Sequence, residues 1–282
     1  GNWITEVKKN LFKKHPYRWA PIGSMEHLDA ATLEEFQDFN KKFYVPNNAV
    51  LVITGDIEFA KTKELVSKYF GVIKKGADVP RVNIQEDEIT KPILATAEDP
   101  NIQIPMYITA YRTPSMKTRE ARVLDMVSSY LSGGKSSPMQ KKIVDEKKMA
   151  LQLFAFNYAQ EDYGMYLIAG LPMGETTREA LQAEIDAEIA KLQTELISER
   201  DYQKLQNDFE NRYVNGNSNL ETLAENLASN YLLYGDINLI NEEINIYRSI
   251  TREEIRDVAK KYLNSNSRLL LDYVPAKEEA AK

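Results

Sequence analysis

From Leu33 the apolar residues Leu33, Phe36, Phe39 and Phe43 recur at the spacing of one helical face, behind capping residues in Asp29-Ala-Ala-Thr32. Pro46-Asn47-Asn48 ends that helix, and the β-branched run Ala49–Thr54 predicts a buried strand stopped at Gly55-Asp56. A second helix is predicted over Ala60–Phe70, with Leu65, Val66, Tyr69 and Phe70 as its apolar face. Between Gly71 and Pro92 the periodicity fails in a polar, charged, proline-containing stretch that reads as a linker. Two strands follow at Ile93–Ala97 and Gln103–Tyr111, then a helix over Arg119–Leu131. The small-residue loop Ser132–Ser137 leads into a helix ending near Lys148. Leu151–Ala159 and Gly164–Leu171 predict an antiparallel pair, joined by a polar turn at residues 160–162. Helices are expected over Thr176–Leu196 and from Ser198, with a break at Asn215–Asn219, then a helix from Thr251 and a final strand Arg268–Val274. Strands and helices are segregated along the chain. That order predicts an α+β fold, a mainly antiparallel sheet layered against helices, in place of a doubly wound parallel sheet.

The pattern repeats. TLEEFQDFNKKFYVPNNAVLVITGD, starting at Thr32, and TREEIRDVAKKYLNSNSRLLLDYVP, starting at Thr251, align without a gap at an offset of 219 residues. They share Thr32/Thr251, Glu35/Glu254, Lys41/Lys260, Asn47/Asn266 and Leu51/Leu270, and apolar residues face each other at Phe36/Ile255 and Phe39/Val258. A helix–strand unit that closes one domain at its second occurrence should close another at its first. The chain is therefore divided, as an expectation, into four parts. Residues 1–75 are the C-terminal part of a truncated first domain, 76–92 the linker, 93–275 a complete second domain and 276–282 a polar tail. Residues 1–75 are expected to be the less stable part, because their domain lacks most of its sheet.

Bulk composition narrows the class without choosing a function. The 36 basic residues against 42 acidic ones give a net charge of −6, which leaves no footprint for nucleic acid. No apolar run reaches the ~18 residues that a membrane span needs. GNWITEVKKN lacks the apolar core of a signal peptide. The absence of cysteine removes disulfides and thiolate metal ligands. The expectation is a soluble chain, cytoplasmic or periplasmic, with the compartment left open.

Individual candidates for chemistry are few. The two histidines are His15 and His27. Gly23-Ser-Met-Glu26-His27 approaches the inverted zinc motif H-x-x-E-H, in which two imidazoles one helical turn apart share a metal, but Gly23 stands where the first imidazole is needed. Gly133-Gly-Lys-Ser136 resembles the end of a phosphate-binding loop, yet Ser129 occupies the position of the leading glycine and a helix precedes the loop instead of a strand. A helix-to-helix turn and a substrate-touching loop both remain open for it. No carboxylate is paired with a base or nucleophile at a diagnostic spacing.

A series of motifs in order carries more. His15-Pro-Tyr17, Pro21-Ile-Gly-Ser24, Phe43-Tyr-Val-Pro-Asn-Asn48, Val52-Ile-Thr-Gly-Asp56 and Lys68-Tyr-Phe-Gly71 resemble the pitrilysin/insulinase family of zinc metallopeptidases. Beyond the linker, Tyr130–Ser137 and Val144–Ala150 resemble that family's second domain. The resemblance implies duplicated α+β domains that close as a clamshell around a peptide substrate, with a second family subunit or a fused half as partner. It places the family's zinc motif upstream of residue 1. The equivalent helix of the second copy reads Asp125-Met-Val-Ser128-Ser129 and has none of the ligands, so zinc is implied for a longer parent and none for this part. No catalytic or metal-binding residue is therefore assigned. The family's Arg and Tyr that face the substrate carbonyl fall on Val144 and Leu151, which cannot donate hydrogen bonds, and this favours the zinc-bearing half as parent. The glycine-rich loop implies Gly133 and Gly134 as substrate contacts. The function so implied is a fragment of a zinc-dependent endopeptidase forming chamber wall and partner surface. The alternative is a non-catalytic scaffold or assembly subunit of the same family.

Overall fold

Threonine caps set the frame. In a computed structural model that describes residues 2–81 and 83–276, Thr118, Thr177 and Thr251 each accept a hydrogen bond from the backbone three residues on. They start the helices Arg119–Ser132, Arg178–Thr194 and Arg252–Tyr262, because a side-chain oxygen there satisfies an N–H that the helix cannot. In chain order the helices are α1 (Trp3–Leu11), α2 (Met25–Ala30), α3 (Leu33–Phe43), α4 (Phe59–Phe70), α5 (Arg119–Ser132), α6 (Arg178–Thr194), α7 (Glu199–Gly216), α8 (Leu220–Ser229), α9 (Leu239–Ser249) and α10 (Arg252–Tyr262). The strands are β1 (Ile93–Asp99), β2 (Met106–Pro114), β3 (Ala150–Ala159), β4 (Tyr163–Pro172) and β5 (Arg268–Pro275). Short π-helical turns cover Gln140–Glu146 and Asn230–Tyr234.

The five strands form one mixed sheet in the order β1-β5-β2-β4-β3. Only β1 and β5 run parallel, with Ile93 opposite Leu269; the other three pairings are antiparallel. The fold is α+β with a mainly antiparallel sheet. Helices α5, α6 and α10 lie on one another and on the sheet. α1 closes a separate core, in which Val7, Leu11 and Phe12 are buried with Ile108, Leu167 and Leu271.

The chain clusters into two units that interleave along the sequence. One gathers the described residues of Gly1–Ala20, Ile84–Asp208 and Ile246–Lys282; the other is Pro21–Asn83 with Phe209–Asn245. Residues before Ala20 thus belong with the sheet and not with residues 21–75, because the apolar face of α1 is buried there. The tail expected at 276–282 lies, from residue 277 on, outside the described residues.

One predicted strand is absent. Ala49–Thr54 is without strand assignment, and Leu51 and Ile53 are exposed. The physical reason lies in its repeat partner: β5, at the equivalent position, has β1 on one side and β2 on the other, whereas Ala49–Thr54 has no strand to pair with among the described residues. The helices of the repeat do match. Both α3 and α10 have 11 residues, and each opens with a reciprocal capping box, Thr32 with Glu35 and Thr251 with Glu254. Their surroundings differ. Ile255 is 0% exposed, while its counterpart Phe36 is 56% exposed.

Candidate functional site

The sequence singled out α5 and the loop that follows it. On α5, Asp125 faces β3 and α9. Its Oδ1 accepts a hydrogen bond from the Asn157 amide at 2.9 Å, and its Oδ2 accepts one from the Tyr247 hydroxyl at 2.9 Å. The same amide donates to the Ala121 carbonyl at 3.0 Å, and Ser129 Oγ donates to Asp208 at 3.3 Å. Tyr166 is fully buried nearby, and desolvation pushes its hydroxyl pKa well above the ordinary value of 10.0. A carboxylate with both oxygens already hydrogen-bonded, and no imidazole beside it, does not fit a zinc ligand set. Among the described residues no group of three or more His, Cys, Asp or Glu could hold a metal ion.

The loop is tightly built. The Gly133 amide donates to the Ser129 carbonyl at 2.9 Å, and a Cβ at residue 133 would sit 2.3 Å from that oxygen, so only glycine fits. Gly134 adopts φ +156°, with open space where a side chain would project. Ser137 Oγ donates to the Gly134 carbonyl at 2.6 Å, and Lys204 Nζ reaches Ser136 Oγ at 2.7 Å. Gly133 therefore has a structural duty, whereas Gly134, its N–H bonded to the Ser132 carbonyl and its carbonyl to Ser137, leaves open only the space where a side chain would project.

Val144 falls in the π-helical turn and Leu151 on β3, where Leu151 is exposed at the rim of a cavity of about 610 Å³ lined also by Ile104, Tyr107 and Pro172. Tyr107 there has its hydroxyl pKa raised, first by burial and then by the nearby Asp272 carboxylate. His27 lies on α2, exposed, and its backbone N–H is capped by Ser24. His15 is buried: its Nδ1 accepts from the Tyr17 N–H at 3.2 Å, and its Nε2 lies 3.3 Å from Asp162.

Two polar constellations had no sequence signal. Glu86, within a charged run that reads as solvated linker, accepts three backbone N–H bonds from Lys13, Lys14 and His15 at 2.8, 2.6 and 2.7 Å. Burial alone would raise its pKa, but those bonds and the Arg112 guanidinium outweigh that and hold it below the usual value. On the helix-covered side of the sheet, Arg268 is bidentate to Asp186, and Arg178 pairs with Asp272 at 3.2 Å. Spacing could not show either, since the partners lie tens of residues apart.

Comparison with known proteins bears on the family and the fold. The family profile described as "Peptidase M16 inactive domain" matches residues 30–209. The zinc protease PqqE of Helicobacter pylori is 28% identical over 252 residues, 88% of this chain, and the chain spans 56% of that relative's length. The crystal structure of a protease from Helicobacter pylori superposes with a TM-score of 0.88 at 24% identity, over 97% of this chain and 69% of that one. A chain of complex III2 from Candida albicans has the same fold, with a TM-score of 0.81 at 13% identity over 96% of this chain and 66% of that one. No helix among the described residues is long and apolar enough to cross a membrane.

Proposed function

The chain belongs to the peptidase M16 family through that family's inactive domain, and from that premise we propose that it is the non-zinc part of a zinc-dependent endopeptidase, forming chamber wall and partner surface. The observation that carries this reading is Asp125: in the helix where the resemblance would place metal ligands, both of its carboxylate oxygens already accept hydrogen bonds, from Asn157 and Tyr247. Zinc, held upstream in a longer parent, would activate the attacking water; no residue described here is given a ligand role. This part presents substrate with the Ser132–Ser137 loop, where the missing side chain of Gly134 leaves open space for it. Val144 and Leu151 have no donors to aim at a substrate carbonyl, so a second family subunit or fused half supplies them.

An internally quenched peptide tests the reading. The 282-residue chain is expected to leave it uncut with zinc added, and the protein extended at its N-terminus to the length of its relatives to cut it. Gly134→Ala in the extended protein, assayed well below its melting temperature because φ +156° strains any side chain there, is expected to lower turnover at least tenfold. Cleavage by the 282-residue chain alone, abolished by chelator, would overturn the reading.

A further inference from the structure

The two edges of the five-stranded sheet are treated differently. At the β3 edge, Ser132 Oγ accepts from the Ala155 N–H at 2.6 Å and donates to the Ala155 carbonyl at 3.2 Å, so a side chain from α5 already occupies both groups. Such blocking is how sheets avoid unwanted pairing. At the β1 edge, no side chain among the described residues bonds the backbone of residues 93–98. Burial alternates along β1, with Leu94, Thr96 and Glu98 outward and Leu94 76% exposed. Helix α6 stops short of this strand, leaving a groove of about 470 Å³ between Leu94 and Thr96 on one wall and Arg178, Glu179 and Asp186 on the other.

The charge of that groove has a sign. In both ion pairs at its base the arginine is the more buried member: Arg178 is 11% exposed against 36% for Asp272, and Arg268 10% against 37% for Asp186. Carboxylates therefore face solvent while the guanidinium groups are committed beneath them. Glu179 on the groove's wall and Glu98, two residues past Thr96 along β1, are exposed acids with no ion-pair partner among the described residues.

We infer that the β1 edge is a docking site for an extended peptide segment carrying basic side chains. The segment adds to the sheet as a sixth strand, its main chain bonding β1 and its alternate side chains entering the acidic groove. The inference is independent of the zinc reading.

The test uses the 282-residue chain and two fluorescein-labelled ten-residue peptides, one alternating Lys and Val, the other Glu and Val. The Lys peptide is expected to bind saturably and to slow amide exchange within residues 93–99. The variant Glu98→Lys/Glu179→Lys, with an unchanged melting temperature, is expected to bind it at least tenfold more weakly. Equal binding of both peptides, or no protection of β1, overturns the inference. So does tighter binding by Ser132→Ala, which would place the peptide at β3, or concentration-dependent protection of β1 without peptide, which would assign the edge to a second copy.

Discussion

Glu86 shows how one side chain can hold distant segments. It draws three consecutive N–H groups onto one carboxylate, and its own backbone N–H donates to the Tyr163 hydroxyl. Glu86→Gln is expected to lower unfolding stability by about 2–3 kcal/mol at pH 7, as for hydrogen bonds to a charged acceptor. Its folded pKa lies below the ordinary 4.5, so the stabilisation is complete above that value and disappears as the pH falls through the folded pKa. Denaturant titrations should therefore show a gap between wild type and variant that is constant near neutrality and closes in acid. A gap unchanged at low pH would assign the loss to packing. Ser132→Ala, read by the same titration, should cost about 1 kcal/mol, because it removes two hydrogen bonds to the half-buried backbone of Ala155. Neither residue was legible in the sequence. Glu86 sits in Gln85-Glu-Asp-Glu88, which looks like any solvated run, and Ser132 looks like the start of a loop.

Elements were more legible, because periodicity and caps are local. The eleven-residue repeat helices α3 and α10 and their capping boxes follow from Thr-x-x-Glu before an apolar stripe. The strand at Ala49–Thr54 was legible as an apolar run but does not form, since a strand exists only with a neighbour to bond. α1 was missed: its nine residues Trp3–Leu11 have no side-chain cap at the N-terminus, and what fixes the helix is the sheet it covers, far along the chain. Hydrogen exchange separates these cases. Residues 3–11 should be protected to nearly the same degree as β2, and α3 should exchange faster than α10 despite the same cap, because burial differs. Thr251→Ala should lower the melting free energy by about 1 kcal/mol. Equal protection of α3 and α10 would mean that the exposed Phe36 and Phe39 cost α3 nothing.

At the scale of the molecule, the repeat was readable as two matching capped helices, but the interleaving of the two units was not, since contact between residues 1–20 and the sheet leaves no mark in spacing. The β5 half of the repeat has two strand neighbours and a buried helix face; the first half has neither among the described residues. That asymmetry, with an Asp125 on α5 whose two oxygens are already hydrogen-bonded, is why we propose that catalysis lies outside this stretch. The direct test is the zinc-to-protein ratio of the protein extended to the length of its relatives and purified without chelator or metal-affinity resin. A ratio near one is predicted. A ratio near zero would contradict the account and give the molecule a scaffold role.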